Sequence, residues 1–305
     1  MSALCNVVLT GAGGFLGSHL LSALVASGHR VLAVTSKSKS DVFAALPGDV
    51  GGMVDVATPD GFDSYRRNLS DALVISCAFP RGRDGVQMAQ GLDFVDRLLA
   101  AAVDEAACGF VNVSSQSVYP AIRETSACEG NVLSLDGSYA VAKRGIELLV
   151  RARCEGCIPF TSIRLASLVG PGFNQRVVNK MARRALEAGV VDVARPNQVF
   201  DYMDVRDAVS AFMSLAESDP LRWDEVYNLG SGNARTLREI ADAVAAAVCA
   251  QGKLCEVRVA DDDASVPSSA LDASRFCEAF GWEPAFELED TVRTIVKAIA
   301  VERIR

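Results

Sequence analysis

Thr10-Gly11-Ala12-Gly13-Gly14-Phe15-Leu16-Gly17 is the stretch on which the fold turns. Before it lies Asn6-Val7-Val8-Leu9-Thr10, a short apolar run with strand character. After it, Leu20, Leu21, Leu24 and Val25 recur at helical spacing within residues 18–27, and Gly28 suits the helix end. Residues 30–34, RVLAV, read as a second strand. Strand, glycine turn, helix and strand in succession open a βαβ unit. Gly11, Gly14 and Gly17 are spaced three apart. The first permits a tight turn, the second lets the backbone approach a pyrophosphate, and the third lets the helix pack on the sheet. The helix start supplies free N–H groups and the positive end of its dipole to an anion. The spacing is one residue off the usual G-x-G-x-x-G, and Gly13 partly restores it. Glycines needed only for turning and packing are the alternative, but the flanking strand and helix favour a dinucleotide cradle of Gly11, Gly14, Phe15, Leu16 and Gly17.

The alternation continues outward. A short strand is expected at 51–56, strands at 72–77, 110–114 and 160–165, and helices at 86–107 and 138–153. Apolar runs without strict alternation suit a parallel sheet covered on both faces, joined by right-handed crossovers. Beyond residue 170 the rhythm changes. A loop at 170–173 leads to helices at 175–188 and 205–217, a strand at 225–229 and a helix at 236–250. Thr236 and Glu239 form a capping-box pattern for that last helix. A strand at 254–259, a polar loop at 261–269 and helices near 272–279 and 287–301 complete the chain. The fold class is therefore α/β, a Rossmann-type doubly wound parallel sheet with a smaller C-terminal substrate-binding lobe. Residues 1–169 form the dinucleotide-binding domain and 170–305 mainly the lobe, with segments near 205–230 returning to the sheet.

Composition narrows the function classes. The chain has 305 residues, half of them apolar, enough for a sizeable core. Acidic residues outnumber basic ones, 38 to 30, which argues against a nucleic-acid partner but leaves room for a local anion pocket. No apolar run is long enough to span a membrane, and the start lacks a signal-peptide pattern, so a cytoplasmic protein is expected. Nine scattered cysteines and two histidines favour buried thiols over disulfides, and Cys154 with Cys157 lacks the second pair a metal would need. No metal is expected.

The end of the second strand reads Thr35-Ser36-Lys37-Ser38-Lys39, with no carboxylate before Asp41. A carboxylate there would receive a ribose 2′-hydroxyl and repel a 2′-phosphate, whereas hydroxyls and lysines can hold that phosphate. Thr35, Ser36 and Lys37 thus tilt the cofactor toward NADP, with NAD the alternative, and a merely solvated loop fits the same residues. Asp55 and Val56, where the third strand is expected to end, are candidates for the adenine. Further on, Tyr139 and Lys143 stand four apart on one helix face. An ammonium beside a phenol favours the phenolate, which equips it to move protons at neutral pH. A solvated helix face gives the same spacing. What distinguishes the pair is its setting, after a glycine fingerprint and a strand ending in Ser114-Ser115-Gln116-Ser117.

TGAGGFLG at 10–17, VSSQSVY at 113–119, YAVAK at 139–143, RLASLVGPG at 164–172, YNLGSG at 227–232 and FGWEP at 280–284 follow one another along the chain. In this order the chain resembles the extended short-chain dehydrogenase/reductase family, especially its NAD-dependent epimerase/dehydratase branch. The resemblance implies Tyr139 as acid/base, Lys143 as ribose ligand and tuner of the tyrosine, and Ser115 as the catalytic serine, with Ser114 and Ser117 as neighbouring possibilities. It also implies hydroxyl–keto chemistry on a nucleotide-linked sugar, and a homodimer through helices 86–107 and 138–153. A small-molecule substrate would then meet Ser115, Gln116, Ser167 and Phe200.

Departures qualify the substrate. Phe200 stands where relatives with sugar-nucleotide substrates place an arginine, so a diphosphate contact is lost there, leaving Arg176, Arg183, Arg195 and Arg258 as other anion candidates. Met88 replaces a common asparagine, and Ser167 another. Gln116 and Ser117 replace the Asp-Glu of sugar 4,6-dehydratases, which disfavours dehydration. A reductase of a non-sugar ketone or aldehyde and a non-catalytic dinucleotide-binding protein are the remaining alternatives.

Overall fold

The computed structural model describes residues 6–302 apart from 47, 49, 51, 81–84 and 261–266. In chain order come β1 (Asn6–Thr10), α1 (Phe15–Ala26), β2 (Arg30–Val34), α2 (Lys39–Ala44), β3 (Val54–Ala57), β4 (Leu73–Ser76), α3 (Gly85–Asp104), β5 (Gly109–Val113), α4 (Ser138–Cys154) and β6 (Phe160–Leu165). They are followed by β7 (Ser167–Val169), α5 (Val177–Ala188), β8 (Val190–Val193), β9 (Val199–Phe200), β10 (Tyr202–Asp204), α6 (Val205–Ala216) and β11 (Val226–Leu229). Last come β12 (Arg235–Thr236), α7 (Leu237–Cys249), β13 (Glu256–Val259), α8 (Ser274–Phe280) and α9 (Leu288–Glu302).

Seven strands form one sheet in the order β11-β6-β5-β4-β1-β2-β3. Every pairing in it is parallel. Its central strands are buried on both faces, as their unbroken apolar runs require. One apolar cluster joins α1 and α6 to one face, and a second joins α3 and α4 to the other. The sheet reverses direction of growth between β1 and β4. Ligands bind beyond the carboxyl ends of strands at such a switch point. The chain returns to the sheet with β11, and a third cluster unites α5, α7 and α9 in the C-terminal lobe.

Helix α1 starts three residues before the expected 18, because Gly14 already serves as its N-cap. The Thr236–Glu239 capping box forms. Helix α2 and strands β7 to β10 and β12 carry no periodic signal, since two to six residues leave no room for a repeat. Most of the polar loop expected at 261–269 lies outside the described residues. The eight described cysteines are free thiols; Cys154 is fully buried, Cys77, Cys108, Cys255 and Cys277 are partly buried, and Cys128, Cys157 and Cys249 are exposed. No helix among the described residues is long and apolar enough to cross a membrane.

Candidate active site

The glycine loop is held by its own tight geometry. Gly11 has φ +68°, and a Cβ there would lie 2.9 Å from the Ala78 nitrogen. A Cβ on Gly17 would collide with the Gly11 carbonyl oxygen. Ala78 N donates to Thr10 Oγ1 at 3.1 Å, so the end of β4 is tied to the end of β1. No side chain caps α1, and its first turn faces the cleft. A loop of this kind, with close backbone approach and uncapped N–H groups, fits a dinucleotide pyrophosphate.

Two adjoining cavities open here. The larger, about 1510 Å3, is lined by Gly11, Gly14, Phe15, Thr35, Ser36 and Lys37, among others. Lys37 N donates to Thr35 Oγ1 at 3.2 Å, and both side chains lie against Gly13. The smaller, about 440 Å3, brings Ser115, Gln116, Tyr139, Lys143 and Ser167 together with Leu16 and Gly17. Gly11, Gly14, Phe15, Cys77, Phe79, Phe173 and Gln175 line both.

Three residues singled out in the sequence lie elsewhere. Strand β3 runs on to Ala57, so Asp55 and Val56 sit within it and outside the lining of both cavities, while Pro59 and Asp60 reach the cleft. Phe200 pairs across from Arg235 in the β9–β12 ribbon, and its ring stacks on Tyr202 at 5.0 Å with a 4° tilt. It packs against the lobe core and does not line either cavity. Burial pushes the Tyr202 phenol up to about 12, opposed by the charge of Arg176.

Helix α4 carries the pair. Tyr139 is 38% exposed, whereas Lys143, one turn on, is 5% exposed. Lys143 Nζ donates to the Val113 carbonyl at 2.8 Å and lies 4.9 Å from the Phe79 ring centre and 5.9 Å from that of Tyr139. Burial lowers its pKa to about 8, with Cys77 and Glu147 pulling the other way. The same burial raises the Cys77 thiol to about 12, against the pull of Lys143. Ser115 caps a short turn, accepting from Ser117 N at 3.2 Å and donating to Ser117 Oγ at 3.0 Å.

Behind the serine strand is a buried anchor. Ser114 Oγ donates to Glu147 at 2.5 Å, and Arg164 grips the same carboxylate through Nε at 3.1 Å and Nη2 at 2.9 Å. Arg164 also donates to Tyr119 Oη at 2.9 Å, which in turn donates to Asn228 at 2.8 Å. Burial pushes Glu147 up, but Arg164, Ser114 and Arg144 outweigh it and leave the carboxyl below its ordinary range. Ser114, Ser115 and Ser117 all line the smaller cavity, but the Ser114 hydroxyl is committed to Glu147.

The sequence reading overlooked Cys77, Ala78, Phe79 and Pro80, which follow β4 and line the cleft. Their signal was positional, since the strand beside β1 at a switch point must present its end to the ligand. It also overlooked Phe173 and Gln175. Of the four arginines named as anion candidates, Arg176 alone lines the smaller cavity, and among the described residues no carboxylate does. Arg183 bonds Asn174 and Glu302, and Arg258 bonds Glu256.

A parallel switch-point sheet, a glycine cradle and a Ser–Tyr–Lys cavity define a nucleotide-cofactor enzyme of the short-chain dehydrogenase/reductase type. Residues 7–230 match the model of the NAD dependent epimerase/dehydratase family, and the chain belongs to that family. It is 28% identical to the low-salt glycan biosynthesis protein Agl12 of Haloferax volcanii, over 95% of this chain and 97% of that protein. It is 25% identical to a dTDP-glucose 4,6-dehydratase of an Actinoplanes species, over 95% and 96% of the two chains. A mutant UDP-glucuronic acid 4-epimerase from Bacillus cereus, solved with NAD, shares the fold with a TM-score of 0.82 at 19% identity, covering 97% of this chain and 99% of that one.

Proposed function

We propose that the protein is an NAD-dependent oxidoreductase or epimerase acting at a hydroxyl or keto carbon of a nucleotide-linked sugar. The carrying observation is one cavity that holds Ser115, Tyr139, Lys143 and Arg176, has no carboxylate among the described residues of its lining and opens into the glycine cleft. Arg176 supplies the fixed cation that Phe200 does not, and a guanidinium suits a diphosphate. The dTDP-glucose relative supports a nucleotide sugar. Dehydration is disfavoured because Gln116 and Ser117 adjoin Ser115, and among the described residues the cavity lining brings no carboxylate. Of the two dinucleotides left open by Thr35, Ser36 and Lys37, NAD is supported by the family description.

In this reading Gly11, Gly14, Phe15, Leu16 and Gly17 would hold the pyrophosphate, and a bound nicotinamide would supply the hydride chemistry. Ser115 Oγ hydrogen-bonds the substrate oxygen. Tyr139 Oη takes that oxygen's proton on oxidation and returns it on reduction. Lys143, buried one turn below, presents a positive charge that favours the phenolate. Gln116 and Ser167 orient the sugar. We also assign a homodimer through α3 and α4, where Val141 and Leu148 are half exposed one above the other. Sedimentation at twice the chain mass supports it, and a monomer at micromolar concentration contradicts it.

The test is incubation with a panel of UDP- and dTDP-hexoses, with products identified and reduced dinucleotide counted. An epimerase changes one stereocentre with no net dinucleotide consumed, whereas a reductase consumes one per product. Turnover of simple ketones alone would replace the sugar by a non-sugar carbonyl. Dinucleotide binding without any turnover would make the chain a non-catalytic binder.

A further inference from the structure

The segment joining β7 to α5 crosses the seam between the two cavities. Phe173 and Gln175 line both, and Arg176 lines the smaller. Phe173 stacks on Phe15, ring centres 4.1 Å apart and planes 20° from parallel. Phe15 is the first residue of α1. His19 meets the same Phe15 ring edge-on at 5.1 Å, and its Nδ1 lies 2.8 Å from the Phe15 carbonyl oxygen. On the other end of the stack, the Arg176 guanidinium lies 4.9 Å from the Phe173 ring centre.

His19, Phe15, Phe173 and Arg176 therefore form one continuous line of ring and cation contacts from the cradle helix to the substrate cavity. The segment is shaped to present it. Arg176 N donates to the Phe173 carbonyl at 3.1 Å, and buried Asn179 holds the Gly170 carbonyl at 3.0 Å. A Cβ on Gly170 would lie 2.9 Å from Val205 and 3.2 Å from the Phe15 ring, so the segment sits as close to Phe15 as backbone allows. Two aromatic rings that are only partly buried gain area and a specific ring contact by meeting here. Their meeting point lies over the first turn of α1, the part of the cradle assigned to the pyrophosphate.

We propose that the Phe15–Phe173 stack is a clasp over the dinucleotide, which must open before the cofactor leaves. The clasp rests on the dinucleotide reading given above. Both rings act as positioning residues, with Arg176 tying the clasp to the cavity where an anionic substrate group arrives. A cofactor held in this way stays through an oxidation and the reduction that follows it, as epimerisation requires.

The test is the release rate of NADH from the full chain, chased by excess NAD and followed by nicotinamide fluorescence. Phe173→Leu should release NADH about tenfold faster than the wild type, the scale of one lost ring pair, whereas Phe173→Tyr should stay within about twofold. Phe15→Leu, read in the same way, serves if Phe173→Leu does not fold. Release from the leucine variant at the wild-type rate, or equal acceleration in the leucine and tyrosine variants, overturns the clasp. Failure of the wild type to bind NADH at all overturns the dinucleotide reading and the clasp with it.

Discussion

The glycine loop follows a strand and segment 199–204 contains two short ones, and both were read from a match of residues to positions. In the loop, function follows from backbone geometry. Gly11 needs a positive φ, and Gly17 has no room for a Cβ, so residue type and place are bound together. In the second segment, function follows from which way a side chain is carried by its pairing. Phe200 is turned onto Tyr202 by the β9–β12 ribbon, and the cation at the cavity comes instead from Arg176 at the start of α5. Backbone constraints are local and therefore legible, whereas side-chain roles can move to another element without leaving a local mark.

The comparison is broken most forcefully at Gly17. Gly17→Ala places a methyl group against the Gly11 carbonyl and should cost more than about 4 kcal/mol, with loss of dinucleotide binding by calorimetry. Normal binding by a folded Gly17→Ala protein would show that the loop is ordinary packing.

Lys143 gives the next effect, of opposite sign for stability and activity. Its pKa in the fold is about 8, below the ordinary 10.5, so the unfolded chain binds more protons between these values. The stability it contributes as a neutral amine is present above the ordinary value and is lost as pH falls to about 8. At pH 7 the buried ammonium is a cost. Lys143→Met should therefore stabilise the fold at neutral pH by on the order of 2 kcal/mol, while abolishing turnover. Denaturant melts across pH would check it, and a less stable methionine variant would contradict it. In the wild type, turnover should fall as pH rises through about 8, when the ammonium is lost.

Phe200 sharpens the other side. Phe200→Ala should destabilise the lobe by about 1–2 kcal/mol through the lost stack, and leave NADH affinity unchanged. A large rise in substrate KM without loss of stability would return Phe200 to the substrate. The smallest effect is expected at Lys37. Lys37→Ala should alter NAD affinity by less than about threefold, since a solvated lysine contributes little to an uncharged ribose. A tenfold loss of NADP affinity with stronger binding of NADP than NAD in the wild type would restore the phosphorylated cofactor.

Much of the fold was legible for the same reason as the loop. Strands β1, β2 and β4 are mainly apolar runs, and the long helices carry a clear repeat, so their succession along the chain could be read directly. Tyr139 and Lys143 were paired by spacing and setting, Ser115 was added by the family resemblance, and the three line one cavity. The cleft residues after β4 were not, because Phe79 and Pro80 act through where the strand ends. The end of β3 was read one residue early, because the strand continues to Ala57, a boundary set by pairing with β2. Phe173 was invisible because its partner, Phe15, lies far away in sequence.

The central claim is that Tyr139 moves the proton that accompanies hydride transfer in the cavity of Ser115 and Lys143. The direct measurement is the absorbance of reduced nicotinamide on the NAD-loaded protein after mixing with the nucleotide sugar that the wild type turns over. The wild type should form the reduced cofactor, and Tyr139→Phe should bind NAD and sugar with ordinary affinity yet form it at least about 100-fold more slowly. Formation at the wild-type rate in Tyr139→Phe would contradict the account.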